Sequence, residues 1–400
     1  MDKYYSVHLV AVKDIRMKAS DLRIALFSGN YNYVRDGANQ ALNRLVGSLL
    51  GQGAAVRVYS PTTDTPAFPP TGDLVSITSI PFPVQGRSEY RFPIALSPRV
   101  KADLAGFAPN LIHVSSPDIV GHRAVSYARK WRIPVVASMH TRFETYLQYY
   151  KMSALEPLFI AGLRRFYRRC DAVVAPSDSM ARVMEAQSMA DHVGIWSRGI
   201  DRARFNPERR DNRWRHSLGI ADNDVAIGFL GRVVMEKGLD VFCDVMDALA
   251  QRGIAHKVII IGEGPARQWL AGRLPNAHFI GFQDGDALGR AVASMDILFN
   301  PSVTETFGNV TLEAMACAVP VVAADATGSQ SIITNGVTGQ LVAAGSITGF
   351  ADALAHYCTD DTLRLTHGKA AQSATDAYDW NRINQVLIDI YLGLVGKCGG

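Results

Sequence analysis

Glu305 and Glu313 stand eight residues apart in the segment NPSVTETFGNVTLEAMACAVPVVA, which runs from Asn300 to Ala323. Residues 297–300 read as a buried strand, the loop after it ends at Glu305-Thr306-Phe307-Gly308, and a helix is predicted over about residues 309–317. The first N–H groups of a helix lack partners within it and lie at the positive end of its dipole, so residues 308–311 suit a phosphate or a sugar oxygen. Two carboxylates flanking that end can accept hydrogen bonds from paired hydroxyls, which sugar and ribose rings carry. Without that context the pair reads equally as a loop charge and a solvated helix face.

A second constellation is FLGRVVMEKG at 229–238. A predicted strand over 225–230 ends at Gly231, Arg232 follows, and Lys237 comes five residues later, before a helical stretch. Two cations at one strand mouth can neutralise a diphosphate, the guanidinium gripping two oxygens and the ammonium acting as a point charge. IGEGP at 261–265 places Gly262 in a tight strand-to-helix turn. It is not a GxGxxG fingerprint and serves equally as a plain turn or as backbone contact to a nucleotide. In the first half, Gly37 lies near the first strand-to-helix junction, where glycine permits close backbone approach. A strand over 135–138 runs into His140-Thr141-Arg142, whose side chains can donate to sugar hydroxyls, with Glu144 and Tyr146 close by. A structural histidine is the competing reading.

Asp284-Gly-Asp286 has the spacing of a DxD metal motif, but it precedes a predicted helix, where aspartate commonly caps. The histidines show no ligand spacing, and neither a GxSxG elbow nor a P-loop is present, so no metal is expected. Arg164, Arg165, Arg168 and Arg169 in GLRRFYRRC fall on neighbouring helix faces, either as a solvated basic surface or as an attractor of anionic lipid headgroups.

These residues need a frame. Apolar runs at 22–27, 55–59, 111–114, 135–138 and 172–175 read as buried parallel strands, with helical patterns at 38–50 and 123–130 between them. The second half repeats the alternation at 225–230, 257–261, 277–280, 297–300 and 319–323. The expected class is α/β, with two Rossmann-like doubly wound domains facing a cleft: residues 1–200, 201–378, and a closing helix over 379–400 that packs back on the first. The stretch 199–220, charged and without apolar period, reads as the join. Length supports two cores, and 48% hydrophobic with 20% charged residues excludes a disordered chain.

Five dispersed cysteines argue against a disulfide framework or zinc site, so a reducing cytoplasm is expected. Residues 1–20 carry charges where a signal peptide needs its apolar core, and no run approaches the ~18 apolar residues of a spanning helix. Residues 1–199 hold 24 Lys and Arg against 15 Asp and Glu, and the remainder 17 against 22. That asymmetry fits an anionic surface as partner of the first half, without the basic clustering of a nucleic-acid domain.

Taken together, HTRF at 140–143, APS at 175–177, RGID at 198–201, FLGR…EKG, IGEGP, GF at 281–282, the E-x7-E segment and YDW…IY at 378–391 resemble glycosyltransferase family 4. The resemblance covers nearly everything after residue 20. It implies a GT-B fold and retaining, metal-independent sugar transfer from a nucleotide-diphosphate sugar, most commonly a UDP-sugar, to a hydroxyl acceptor. It also implies that Arg232 and Lys237 bind the diphosphate, that Glu305 and the backbone from Phe307 through Gly308 and Asn309 to Val310 hold the donor sugar, and that Glu313 binds the ribose. Gly37, Gly231, Gly262 and Phe282 would line the same donor site, and His140 would contact the sugar near the reacting carbon. Thr141, Arg142 and Tyr146 are left for the acceptor. Where the family often has Gly-Gly-x-x-Glu, this chain has Thr327-Gly328-Ser329-Gln330-Ser331. A nucleotide-sugar epimerase or hydrolase, or a non-catalytic nucleotide- or membrane-binding scaffold, are the other readings. A lipid acceptor and a peripheral membrane location match the basic first half.

Overall fold

The computed structural model describes residues 17–81, 90–142 and 153–398. The chain separates into two compact units, one of Met1–Arg198 together with Trp380–Gly400, the other of Gly199–Asp379.

The first unit is built on a seven-stranded parallel sheet in the order β3-β2-β1-β6-β7-β8-β9. Its strands are β1 (Arg23–Phe27), β2 (Ala55–Ser60), β3 (Asp73–Ser76), β6 (Leu111–Val114), β7 (Val135–Ser138), β8 (Ala172–Ala175) and β9 (Gly194–Ile195). A separate antiparallel ribbon pairs β4 (Thr78–Pro81) with β5 (Arg91–Ala95). The central strands are apolar end to end because helices cover both faces: Ile24, Ala25, Leu26 and Phe27 are all buried. Phe27 stacks on Tyr59 at 4.8 Å in that core. The helix Trp380–Cys398 completes this unit, burying Ile383, Leu387, Ile388 and Tyr391.

The second unit holds a six-stranded parallel sheet in the order β12-β11-β10-β13-β14-β15. These are β10 (Ala226–Leu230), β11 (Lys257–Ile261), β12 (His278–Gly281), β13 (Ile297–Asn300), β14 (Val321–Ala324) and β15 (Gly339–Val342). The order reverses between β10 and β13, so the loops after those two strands diverge and leave the crevice in which such sheets bind ligands. Phe229, Phe242, Phe299 and Phe350 pack in series on one face at centroid spacings of 5.1–5.8 Å.

Two expectations are corrected. The stretch 199–220, read as the join, is folded into the second unit, with a helix Asn212–Ser217 and fully buried Arg215. The guanidinium of Arg215 donates to Asp296 and to the Ser294 carbonyl, each at 2.8 Å, and to the Asp224 carbonyl at 2.6 Å. Part of the charge of this stretch is therefore paired inside. The last predicted strand begins at Val321 rather than at 319, because Ala318 turns with φ +56° and Pro320 has no N–H to give the ladder.

Candidate active site

The two loops at the strand-order reversal of the second unit carry the residues singled out in the sequence. After β10 the chain passes through Gly231 (φ +142°) and Arg232 into a single 3-10 turn, Met235–Lys237, and then Gly238 (φ +72°). After β13 it reaches Glu305. The Lys237 ammonium donates to Glu305 Oε1 at 2.6 Å, with both side chains largely covered. Residues 68 apart in sequence thus form one charge-assisted pair, which holds the two loops in register. Arg232 is half-buried on the β10 loop.

Three consecutive strand ends interlock beneath these side chains. Gly231 N–H donates to the Ile261 carbonyl at 3.0 Å, and Gly262 N–H to the Gly281 carbonyl at 2.9 Å. A Cβ on Gly262 would lie 1.9 Å from the Gly231 carbonyl oxygen, so the loop after β11 tolerates only glycine there. Phe282, following Gly281, is 60% exposed, a flat apolar ring at the sheet's rim.

Gly308, at φ +96°, starts the helix Asn309–Ala316, and no side chain caps it. Its first N–H groups follow Glu305 by a few residues on the same loop. Phe307 is buried against Tyr378, ring centroids 5.9 Å apart. Thr327 Oγ1 donates to the Glu305 carbonyl at 3.0 Å, and a Cβ on Gly328 would come within 2.9 Å of that same oxygen. The segment that departs from the family's usual string therefore backs the Glu305 loop. Burial pushes the Glu313 carboxyl up to about 8, offset in part by Arg204 and reinforced by Glu305. Arg204 went unremarked in the sequence because nothing local marks it.

In the first unit the loops at the reversal between β1 and β6 hold Gly37 as the first residue of the helix Gly37–Gly51, capped by Asp36, which accepts from Asn39 N–H at 2.8 Å. Gly29 lies closer to the end of β1, its Cα facing Asp118 and Ser116. His140 follows β7. Its Nδ1 is 2.8 Å from Arg198 Nη2 and its Nε2 2.8 Å from Ser138 Oγ. Burial, then the Arg198 and His113 charges, hold its pKa well below the ordinary histidine value, so the ring is neutral. Thr141 and Arg142 follow it, half-buried, and Tyr146 and Glu144 lie outside the described residues.

The four arginines of the basic helix are not equivalent. Arg164 donates to the Gln187 carbonyl at 3.1 Å, Arg168 to the Ser188 carbonyl at 3.0 Å, and Arg169 to Ser126 Oγ at 2.7 Å. Arg165 is exposed on the same helix, Glu156–Tyr167, whose start exposes Leu155, Leu158 and Phe159. Asp284 occupies the N-cap of the helix Gly285–Ala293, and Asp286 pairs with Arg209 at 3.3 Å. No described helix is long and apolar enough to cross a membrane.

Known proteins align with both sheets. The model described as Glycosyltransferase Family 4 matches residues 35–204, and that described as Glycosyl transferases group 1 matches residues 224–360. The sulfoquinovosyl transferase SQD2 of Arabidopsis thaliana is 33% identical over 312 residues, which are 76% of this chain and 60% of that protein's length. A GDP-mannose-dependent alpha-mannosyltransferase of Mycolicibacterium smegmatis is 30% identical over 392 residues, 94% of this chain and 98% of the relative. The solved sucrose-phosphate synthase from Thermosynechococcus elongatus shares the fold with a TM-score of 0.74 at 19% identity, over 92% of this chain and 98% of that one. One model matching each sheet in turn, and a relative aligned nearly end to end, make the chain a member of glycosyltransferase family 4.

Proposed function

We propose that the chain transfers a hexosyl or uronosyl residue from a nucleotide-diphosphate sugar to a hydroxyl acceptor, with retention at the anomeric carbon and without a metal. The observation that carries this is the meeting of Lys237 and Glu305 at 2.6 Å where the strand order of the second sheet reverses, between Arg232 and the open helix end after Gly308. Departure of a nucleoside diphosphate builds negative charge on its terminal phosphate. Arg232, Lys237 and the N–H groups after Gly308 are fixed donors for that charge, stabilising the transition state more than the ground state. Glu305 and the backbone of Phe307, Asn309 and Val310 would hold the sugar, Glu313 the ribose, and Phe282 with Gly262 the base. His140 would face the sugar, with Gly37 near the diphosphate. The acceptor hydroxyl would attack on the face the leaving group vacates, its proton passing to the departing phosphate.

The resemblance to the family implies a UDP-sugar. The GDP-mannose dependence of the Mycolicibacterium smegmatis relative, matched nearly end to end, favours GDP-mannose, and a parallel assay with both donors separates them. The acceptor is proposed to be a membrane lipid, reached through the apolar Leu155, Leu158 and Phe159 beside Arg165. Cosedimentation with anionic against neutral vesicles measures that contact. Arg232→Ala should lower kcat by roughly 10²–10³-fold, the value of one such donor, with the circular-dichroism melt unchanged. Normal turnover in that variant, or transfer abolished by a chelator and restored by a divalent ion, overturns the reading.

A further inference from the structure

A chain of polar side chains runs through the first unit from the sheet rim to the C-terminal helix. Arg198 is 4% exposed. Its Nη1 donates to the Trp196 and Ser197 carbonyls, each at 3.1 Å, and its guanidinium lies 5.1 Å over the Trp196 ring. Asp36, at the cap of the helix Gly37–Gly51, is the carboxylate whose charge acts on it. Nη2 points at His140 Nδ1, 2.8 Å away.

A guanidinium has only donors, so Nδ1 of His140 must accept, and the neutral ring carries its hydrogen on Nε2. That hydrogen faces Ser138 Oγ at 2.8 Å. Having accepted there, the Ser138 hydroxyl gives its own hydrogen to His113 Nε2 at 2.6 Å. The His113 hydrogen is thereby placed on Nδ1, which meets the Tyr391 hydroxyl of the C-terminal helix. Each donor direction follows from the one before, and the first is fixed by a group that cannot reverse. Burial keeps His113 neutral, down at about 3, so the order holds across ordinary pH.

We propose that Arg198 is a positioning residue: it locks His140 as the neutral Nε2–H tautomer and, through Ser138 and His113, anchors that ring to Tyr391. His140 then serves the donor as a fixed neutral ring and not as a proton acceptor. Among the groups facing it are Arg198 from the segment after β9, with Asp36 behind, Ser138 at the end of β7, His113 on β6 and the Trp196 ring, edge-on at 5.7 Å. The inference rests on the reading that His140 meets the donor sugar.

Long-range 1H–15N spectra of the full-length protein labelled at histidine test it. His140, assigned by loss of its signals in His140→Gln, should show a bare Nδ1 and a protonated Nε2, unchanged between pH 8 and pH 6. A proton on Nδ1, or a charged ring in that range, overturns the proposal without use of any Arg198 variant. Arg198→Met should free Nδ1, so that signals of both neutral tautomers appear and kcat/KM falls severalfold at every pH, and Arg198→Lys, which restores a cationic donor, should return the single Nε2–H form and the rate. An unchanged tautomer in a folded Arg198→Met also overturns it. If instead His140→Gln transfers sugar normally, the donor-site reading of His140 fails while the spectroscopic result stands by itself.

Discussion

At the scale of the residue, burial of the Glu313 carboxyl makes stability depend on its proton. Its carboxyl is raised from 4.5 to about 8 by burial, so the folded chain favours the protonated form. A raised pKa of this kind contributes stability that is complete below about pH 4.5 and is lost as pH climbs through about 8. The melting midpoint of the second unit should therefore fall over that window, and Glu313→Gln should flatten the fall, recovering on the order of a few kcal/mol at pH 8. Differential scanning calorimetry at pH 5 and pH 8 reads this directly; equal slopes in parent and variant would contradict it. The same variant should bind nucleotide roughly tenfold more weakly in calorimetric titration, the value of one hydrogen bond of about 1.4 kcal/mol.

At the scale of the element, the ends of β10, β11 and β12 are tied to one another through their backbones. Gly262→Ala forces a Cβ against the Gly231 carbonyl at a φ of +140°. The cost should be at least ~2 kcal/mol, a drop of roughly 4–8 °C in the second unit's transition. Arg232 shares that loop, so transfer should fall with it, and an unshifted melt would refute the interlock. Elements of this kind were legible in the sequence because doubly wound sheets bury both faces: ILFN at 297–300 and LIHV at 111–114 are short, mostly apolar runs with the bounds observed. Asp73–Ser76 and the two-residue Gly194–Ile195 sit at sheet edges, half covered, and have no such run to announce them. The site divides the same way. Arg232, Lys237 and Glu305 could be read because each follows a strand. The closure of Lys237 on Glu305, the backing of that loop by Thr327 and Gly328, and the grip of Arg198 on His140 are long-range contacts without local pattern. The buried Arg215 shows the cost of reading charge alone, since its partner Asp296 stands 81 residues away.

At the scale of the molecule, the second unit is an insertion in the first: the chain leaves at Arg198 and returns at Trp380. Its two ends are tied together, with Ile200 N–H donating to the Tyr378 carbonyl at 2.9 Å and Arg202 pairing with Asp376 at 2.6 Å. Adjacent ends let a unit fold by itself. Residues 199–379 expressed alone should melt cooperatively and should be stabilised by the donor nucleotide through mass action; a non-cooperative transition would sink this. The insertion also reverses the usual order of assembly on the ribosome, where the earlier part of a chain folds first. Here the earlier part cannot close, because Ile383, Leu387 and Tyr391, which seal one side of it, are translated only after the whole insertion. The second sheet is thus free to form while the first still waits with His113 and Trp196 uncovered, and holdase chaperones engaging the nascent chain should find their apolar target in its opening half.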